Sequence, residues 1–249
     1  MANISTILQG IYATLGDKVD YMGVAAGSET FQPVDCLFDD TRLTRNGVLA
    51  LRLPPSARLH IECGYTVPDE LIPSTSSAGN RIEQIDWRPA FEVYVELVQR
   101  HYGVSVSREN FYEHAVHFPF GVIRADVEVL VRIPVARQAD GSILCVGEIP
   151  ANALLTVVQA AEPGDMSTAE KLAGSIAHRE YDQGLLFYCA GRRMHMGDSA
   201  EQEVRHIIQA AQPTLLGGAL TLGEIGSASA SHYPLFHNAA IVAITGLCS

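Results

Sequence analysis

Apolar and polar positions along the chain alternate between two rhythms, and these rhythms divide it into short strands and a few amphipathic helices. Residues 5–18, STILQGIYATLGDK, read as a short helix ending at Gly16, with Ser5 or Asn3 able to cap it. YMGVAAG (21–27) follows as a buried strand running into a glycine turn, and DCLFDD (35–40), GVLALRL (47–53) and RLHIECGY (58–65) predict three more strands. PPSA (54–57) would join the last two as a hairpin. Residues 66–80 carry two prolines and a Ser/Thr cluster, which predicts a surface crossover between two lobes.

Beyond that point the helical signal strengthens. A short strand, RIEQID, leads to Pro89, a residue suited to a first helical position, and Phe91, Tyr94, Val95 and Val98 then form the apolar stripe of a helix. SRENFYEHAV (107–116) predicts a second helix, and residues 127–149 a hairpin turning at Asp140-Gly141. Residues 167–181 predict a helix in which Ser167 and Glu170 are spaced as a capping box. GLLFYCA (184–190) is a strand, SAEQEVRHIIQAAQ (199–212) a helix, and LLGGALTLGEIG (215–226) and HNAAIVAITG (237–246) two more strands. The expected fold class is therefore mixed α/β (α+β): two lobes with mixed β-sheets flanked by helices.

Composition narrows the function. Apolar residues make up 47% and charged residues 18% of the 249 residues, enough apolar content for a sizeable core. The net charge of −11 argues against a nucleic-acid surface, which needs clustered Lys and Arg to replace phosphate counterions. Lys18 and Lys171 are the only lysines, so guanidinium groups are the available anion readers. No signal peptide and no apolar run long enough for a membrane span is seen, and the cysteines (36, 63, 145, 189, 248) are scattered without a CxxC spacing. A cytoplasmic protein with reduced thiols is expected, with no nucleic-acid partner and no direct membrane insertion.

The candidate chemistry gathers at FYCAGRRMHMGDSAEQEVRHI (187–207), between a strand and a helix. Arg192 and Arg193, beside a helix start near Ser199, could receive an anion, or could pair at the surface with Asp198 or Glu203. Cys189 could be a thiolate nucleophile, but Met194 stands where the cysteine phosphatase cradle needs its arginine, so a buried thiol is the stronger reading. His195 between Met194 and Met196 is too small a group to hold a metal alone. Further on, Gly223-Glu224 ends one strand and His237-Asn238 opens the last. Glu224 and His237 could act as an acid/base pair, could bind a polar ligand with Asn238, or could satisfy backbone groups at a turn. No nucleophile elbow, dinucleotide turn, P-loop or HExxH is present.

RIEQIDWRPAFEVY, FPFGV, VRIPVARQADGSI, LLFYCAGRR, GALTLGEIG and FHNAAIVAI occur in an order and spacing that resemble the C-terminal module of FIST-domain proteins, over about residues 80 to 246. Residues 1–79 resemble the latter part of that family's N-terminal module, and 80–249 would be the C-terminal ligand-sensing module. Trp87 stands where the family usually has glycine. The resemblance implies a cytoplasmic sensory domain that is not an enzyme. It would bind an amino-acid-like or other small polar ligand and relay the signal to a histidine kinase, a cyclase or a similar partner. A subgroup resembles haem-binding nitric-oxide sensors that regulate a histidine kinase, so haem is a candidate cofactor. Ubiquitin-ligase adaptors carrying the module make a ligand-free scaffold a further alternative. Carried over by position, the ligand-binding residues would be Cys189, Gly191, Arg192, Gly223, Glu224, His237 and Asn238, with Asp86, Pro89 and Tyr94 marking the first helix. An amino-acid ligand would set its carboxylate on Arg192 and its ammonium on Glu224.

Overall fold

Helices form where apolar residues recur every three to four positions, and sheets where β-branched and aromatic residues cluster. The computed structural model describes residues 4–28, 30, 32, 34–124, 129–177, 183–211, 215–227 and 232–247; the proposed cap Asn3 and Cys248 lie outside them. The architecture is mixed α/β, as expected. Two compact units are each assembled from three stretches of chain. The first comprises Met1–Tyr21, Tyr65–Ala161 and Ser227–Asn238, and the second Met22–Gly64, Glu162–Gly226 and Ala239–Ser249.

The first unit holds helices α1 (Ile4–Leu15), α2 (Ala90–Tyr102) and α3 (Phe111–Ala115). Its main sheet runs, in spatial order, Val129–Arg132, Phe120–Ile123, Leu154–Val157, Ile72–Ala78, Arg81–Ile85, Ile143–Cys145 and Pro134–Arg137, with every pairing antiparallel. Helix α2 buries Ala90, Val93, Tyr94, Leu97 and Val98, while Phe91 and Val95 are only partly covered. The buried face is thus rotated from the expected stripe, because Tyr94 anchors it. Its hydroxyl donates to Phe118 O at 2.9 Å, and its ring meets Phe111 and Phe120 edge-on.

Two expectations in this unit are corrected. Residues 66–80 are not a surface crossover, since Ile72–Ala78 is a strand inside the main sheet. Its hydroxyls find partners there: Ser76 Oγ donates to Glu83 Oε2 at 2.6 Å and Ser77 Oγ to Ile149 O at 3.0 Å. The turn is only Gly79-Asn80, with Gly79 at φ +59°. The hairpin within 127–149 is likewise limited to Pro134–Arg137 and Ile143–Cys145, turning through Gly141 at φ +82°. Val129–Arg132 pairs instead with Phe120–Ile123.

In the second unit the sheet order is Leu215–Thr221, Gln183–Cys189, Ile241–Thr245 and Arg58–Glu62. The first pair is parallel and the other two are antiparallel. Ile241–Thr245 is buried at every position, which suits an interior strand covered on both faces. Helices α4 (Ser167–Ile176), α5 (Ala190–Met196) and α6 (Ser199–Ala210) complete the unit, and Leu172, Ile176, Met196 and Ile207 pack with Leu186, Tyr188 and Ile241. Met22–Val24 pairs with Glu224–Ser227.

Further expectations are corrected here. GVLALRL takes no strand pairing and leaves Val48, Leu49 and Leu51 exposed, and its expected hairpin partner Arg58–Glu62 pairs with Ile241–Thr245. Residues 54–57 form only a turn, Ala57 N–H donating to Pro54 O at 3.0 Å. Ser167 and Glu170 make no capping box: Asp165 Oδ1 accepts the Ser167 N–H at 2.8 Å in its place. Finally, residues 190–196 are helix α5 rather than a loop, broken from α6 at Gly197 (φ +55°).

Candidate functional site

Gln183–Cys189 and Leu215–Thr221 run parallel with Cys189 opposite Thr221, so their carboxyl ends fall at one edge of the second unit's sheet. Ligands of open α/β sheets bind at such edges. Five of the seven residues singled out in the sequence lie in the segments leaving these strand ends: Cys189, Gly191, Arg192, Gly223 and Glu224.

Glu224 is fully buried. Thr221 Oγ1 donates to its Oε1 at 2.6 Å and the Ala240 N–H to its Oε2 at 3.3 Å. Burial pushes the carboxyl up to about 8, against the opposing pull of the bonds from Thr221, Ala240 and Cys189. Cys189 is buried too, and its Sγ accepts the Ala239 N–H at 3.1 Å. Burial first, and the Glu224 charge second, push this thiol up to about 12, outweighing the N–H groups of Arg192, Ala239 and Gly191. A thiol so placed stays protonated at neutral pH, which counts against its use as a nucleophile. Gly223, at φ +143°, accepts the Ala25 N–H on its carbonyl at 2.8 Å.

Arg192 is only 4% exposed and Glu203 is sealed completely. The two meet as a bidentate pair, Nε to Oε2 at 3.0 Å and Nη2 to Oε1 at 2.6 Å, while Nη1 donates to Cys63 O at 2.8 Å. Tyr188 adds its hydroxyl to Glu203 Oε2. The fork expected to read a ligand anion is closed on Glu203, and the pair is buried rather than at the surface. Arg193 points outward and donates to Gly197 O at 2.7 Å. His195 is buried on α5.

His237 and Asn238 belong to the first unit. Both are buried, and Asn238 Nδ2 donates to the His237 carbonyl at 3.1 Å. Seen unit by unit, the structure brings Cys189, Glu224 and Thr221 into one polar cluster and Arg192, Glu203 and Tyr188 into another.

The first unit also contains a cavity of about 750 Å³ that sequence reasoning missed. Arg124, Arg132 and Glu148 line it among apolar side chains. A charged residue closing the apolar run VEVLVR was the signal that could have found it. No histidine, cysteine or methionine lines this cavity, and among its lining residues Tyr233 alone is of a type that ligates haem iron. Among the described residues no group of three or more His, Cys, Asp or Glu side chains could hold a metal ion, and no helix is long and apolar enough to cross a membrane.

Residues 90–227 match the FIST C domain. No curated protein matches the chain, and no solved structure does. The match takes in helices α2 to α6, the parallel strand pair and Glu224, more than half of the sequence. The chain therefore belongs to the FIST C domain family, a family of sensory signal-transduction domains.

Proposed function

We propose that this chain is a cytoplasmic small-molecule sensory domain, binding an amino-acid-like or other small polar ligand and relaying that event to a kinase, a cyclase or a similar partner. Membership of the FIST C family is the observation that carries the reading. Residues 1–79 serve in it as the latter part of an N-terminal FIST module, and residues 80–249 as the C-terminal module.

The ligand-contacting residues in this reading, all within the second unit, are Glu224, Cys189, Gly191 and Gly223. Arg192 is among them only if Glu203 releases part of its fork. What supports Glu224 is its chemistry: a buried carboxyl holding its proton near neutral pH can donate or accept a hydrogen bond as a polar ligand requires. A thermal-shift screen of amino acids and small acids tests it. One ligand class is expected to raise the melting temperature of the native chain, and Glu224→Gln to remove that rise. A screen in which no compound shifts the native chain overturns the reading.

A further inference from the structure

Arg132 closes the strand Val129–Arg132 and is only 3% exposed. Its Nε donates to Glu148 O at 2.9 Å, and its Nη1 to Val131 O at 2.9 Å and Phe236 O at 3.0 Å. All three acceptors are neutral carbonyls. Among the described residues no carboxylate forms an ion pair with it, and Nη2 donates to none of them. Arg192 is buried to the same degree and carries Glu203 on its fork. The two buried guanidinium groups among the described residues are therefore treated in opposite ways.

Glu148, whose charge attracts Arg132 but forms no ion pair with it, has its carboxylate oxygens bonded elsewhere. Its two oxygens take the Ser5 N–H at 3.2 and 3.1 Å and the Ser5 Oγ at 2.7 Å, in the first turn of α1. A guanidinium taken out of water without a counter-charge costs several kcal/mol, which carbonyl dipoles offset only in part. Burial pushes Arg132 down to about 10, so the group remains a cation at neutral pH.

The surroundings hold this cation in place. Its Cζ lies 5.8 Å from the centre of the Phe236 ring. Gly147, at φ +84°, leaves room for the contact: a Cβ there would come within 3.2 Å of Arg132 Nε and 2.9 Å of Phe236. Arg132 lines the 750 Å³ cavity together with a second guanidinium, Arg124. Much of the remaining wall is hydrocarbon, from Leu8, Val122, Leu130, Ile149 and Phe236. A cavity of this size suits a small organic ligand.

We propose that this cavity is a second ligand site, specific for a small carboxylate with an apolar body. The carboxylate completes the Arg132 fork through Nη2, and the hydrocarbon lies against the apolar wall. Nη2 gives the carboxylate a charge-assisted hydrogen bond, whereas phosphate would meet an apolar wall with its remaining oxygens.

Calorimetric titration of the full chain with hexanoate and octanoate, with their amides, and with inorganic phosphate tests the proposal. The carboxylates are expected to bind, and the amides to bind at least about tenfold more weakly, as loss of a charge-assisted pair implies. Arg132→Gln is expected to remove carboxylate binding. Ala151→Trp, which fills the exposed rim of the cavity without touching Arg132, gives the same readout should Arg132→Gln fail to fold. Absence of carboxylate binding, equal binding of the amides, preference for phosphate, or retention of binding in the Ala151→Trp chain overturns it. A carboxylate response kept by Arg132→Gln but lost by Glu224→Gln would place the ligand in the second unit, overturning this site while leaving the sensory reading intact.

Discussion

Glu224 makes stability depend on pH in a direction that can be worked out. Its carboxyl is held near 8 in the folded chain against 4.5 ordinarily. Between those values the folded chain keeps a proton that the unfolded chain has lost, so stability falls as pH rises through the window. The total is on the order of a few kcal/mol, because each tenfold change in proton affinity is worth about 1.4 kcal/mol. Urea unfolding should show the native midpoint falling between about pH 5 and pH 8, and Glu224→Gln should flatten that slope. The second buried carboxylate behaves differently. Glu203 is sealed with Arg192 on its oxygens, so Arg192→Met strands a charge and should cost about 3–5 kcal/mol. Arg192→Met combined with Glu203→Leu removes both charges and should recover a substantial part of that loss in the same measurement. A substitution at Arg192 therefore tests folding before it tests ligand binding.

At the scale of elements, the hairpin joining Arg81–Ile85 to Arg88–Pro89 turns through Asp86 and Trp87, both at positive φ (49° and 62°). Such a two-residue turn favours glycine at its second position, and there the resemblance to FIST proteins also expects glycine. Trp87 is 76% exposed, so little core packing offsets its backbone strain. Trp87→Gly should raise stability by about 1 kcal/mol in thermal or urea unfolding. Which elements the sequence revealed follows from the same local physics. Turns with glycine, such as Gly141, and helices with strong periodicity, such as α2 and α6, were legible because one residue type or one rhythm decides them. Residues 47–53 and 66–80 were misread because strand formation depends on a partner: the apolar GVLALRL has none, whereas the Ser-rich Ile72–Ala78 has two. The candidate site was legible as a list of residues but not as contacts. Nothing in the local pattern told that Arg192 meets Glu203 rather than a ligand, since that pairing needs α6 folded back against the strand end.

At the scale of the whole molecule, sequence modules and compact units are different divisions of one chain. The FIST C match is continuous over residues 90–227, yet both compact units draw on residues outside it. In the second unit Ile241–Thr245 lies between Gln183–Cys189 and Arg58–Glu62, so a piece limited to the matched residues loses the strand that holds its sheet together. In the first unit the same piece loses Ile72–Ala78 and Arg81–Ile85 from the middle of the main sheet. Burying Ile241, Val242 and Ile244 contributes roughly 1.5–3 kcal/mol each. That sum alone approaches the roughly 5–15 kcal/mol by which a whole domain is stable, before any lost ladder hydrogen bonds are counted. Residues 90–227 produced alone should therefore give an amide proton NMR spectrum collapsed into a narrow band, while the full chain gives dispersed peaks. A dispersed spectrum from the isolated piece would mean that the matched module closes its own core, and that the flanking strands are additions to a finished fold.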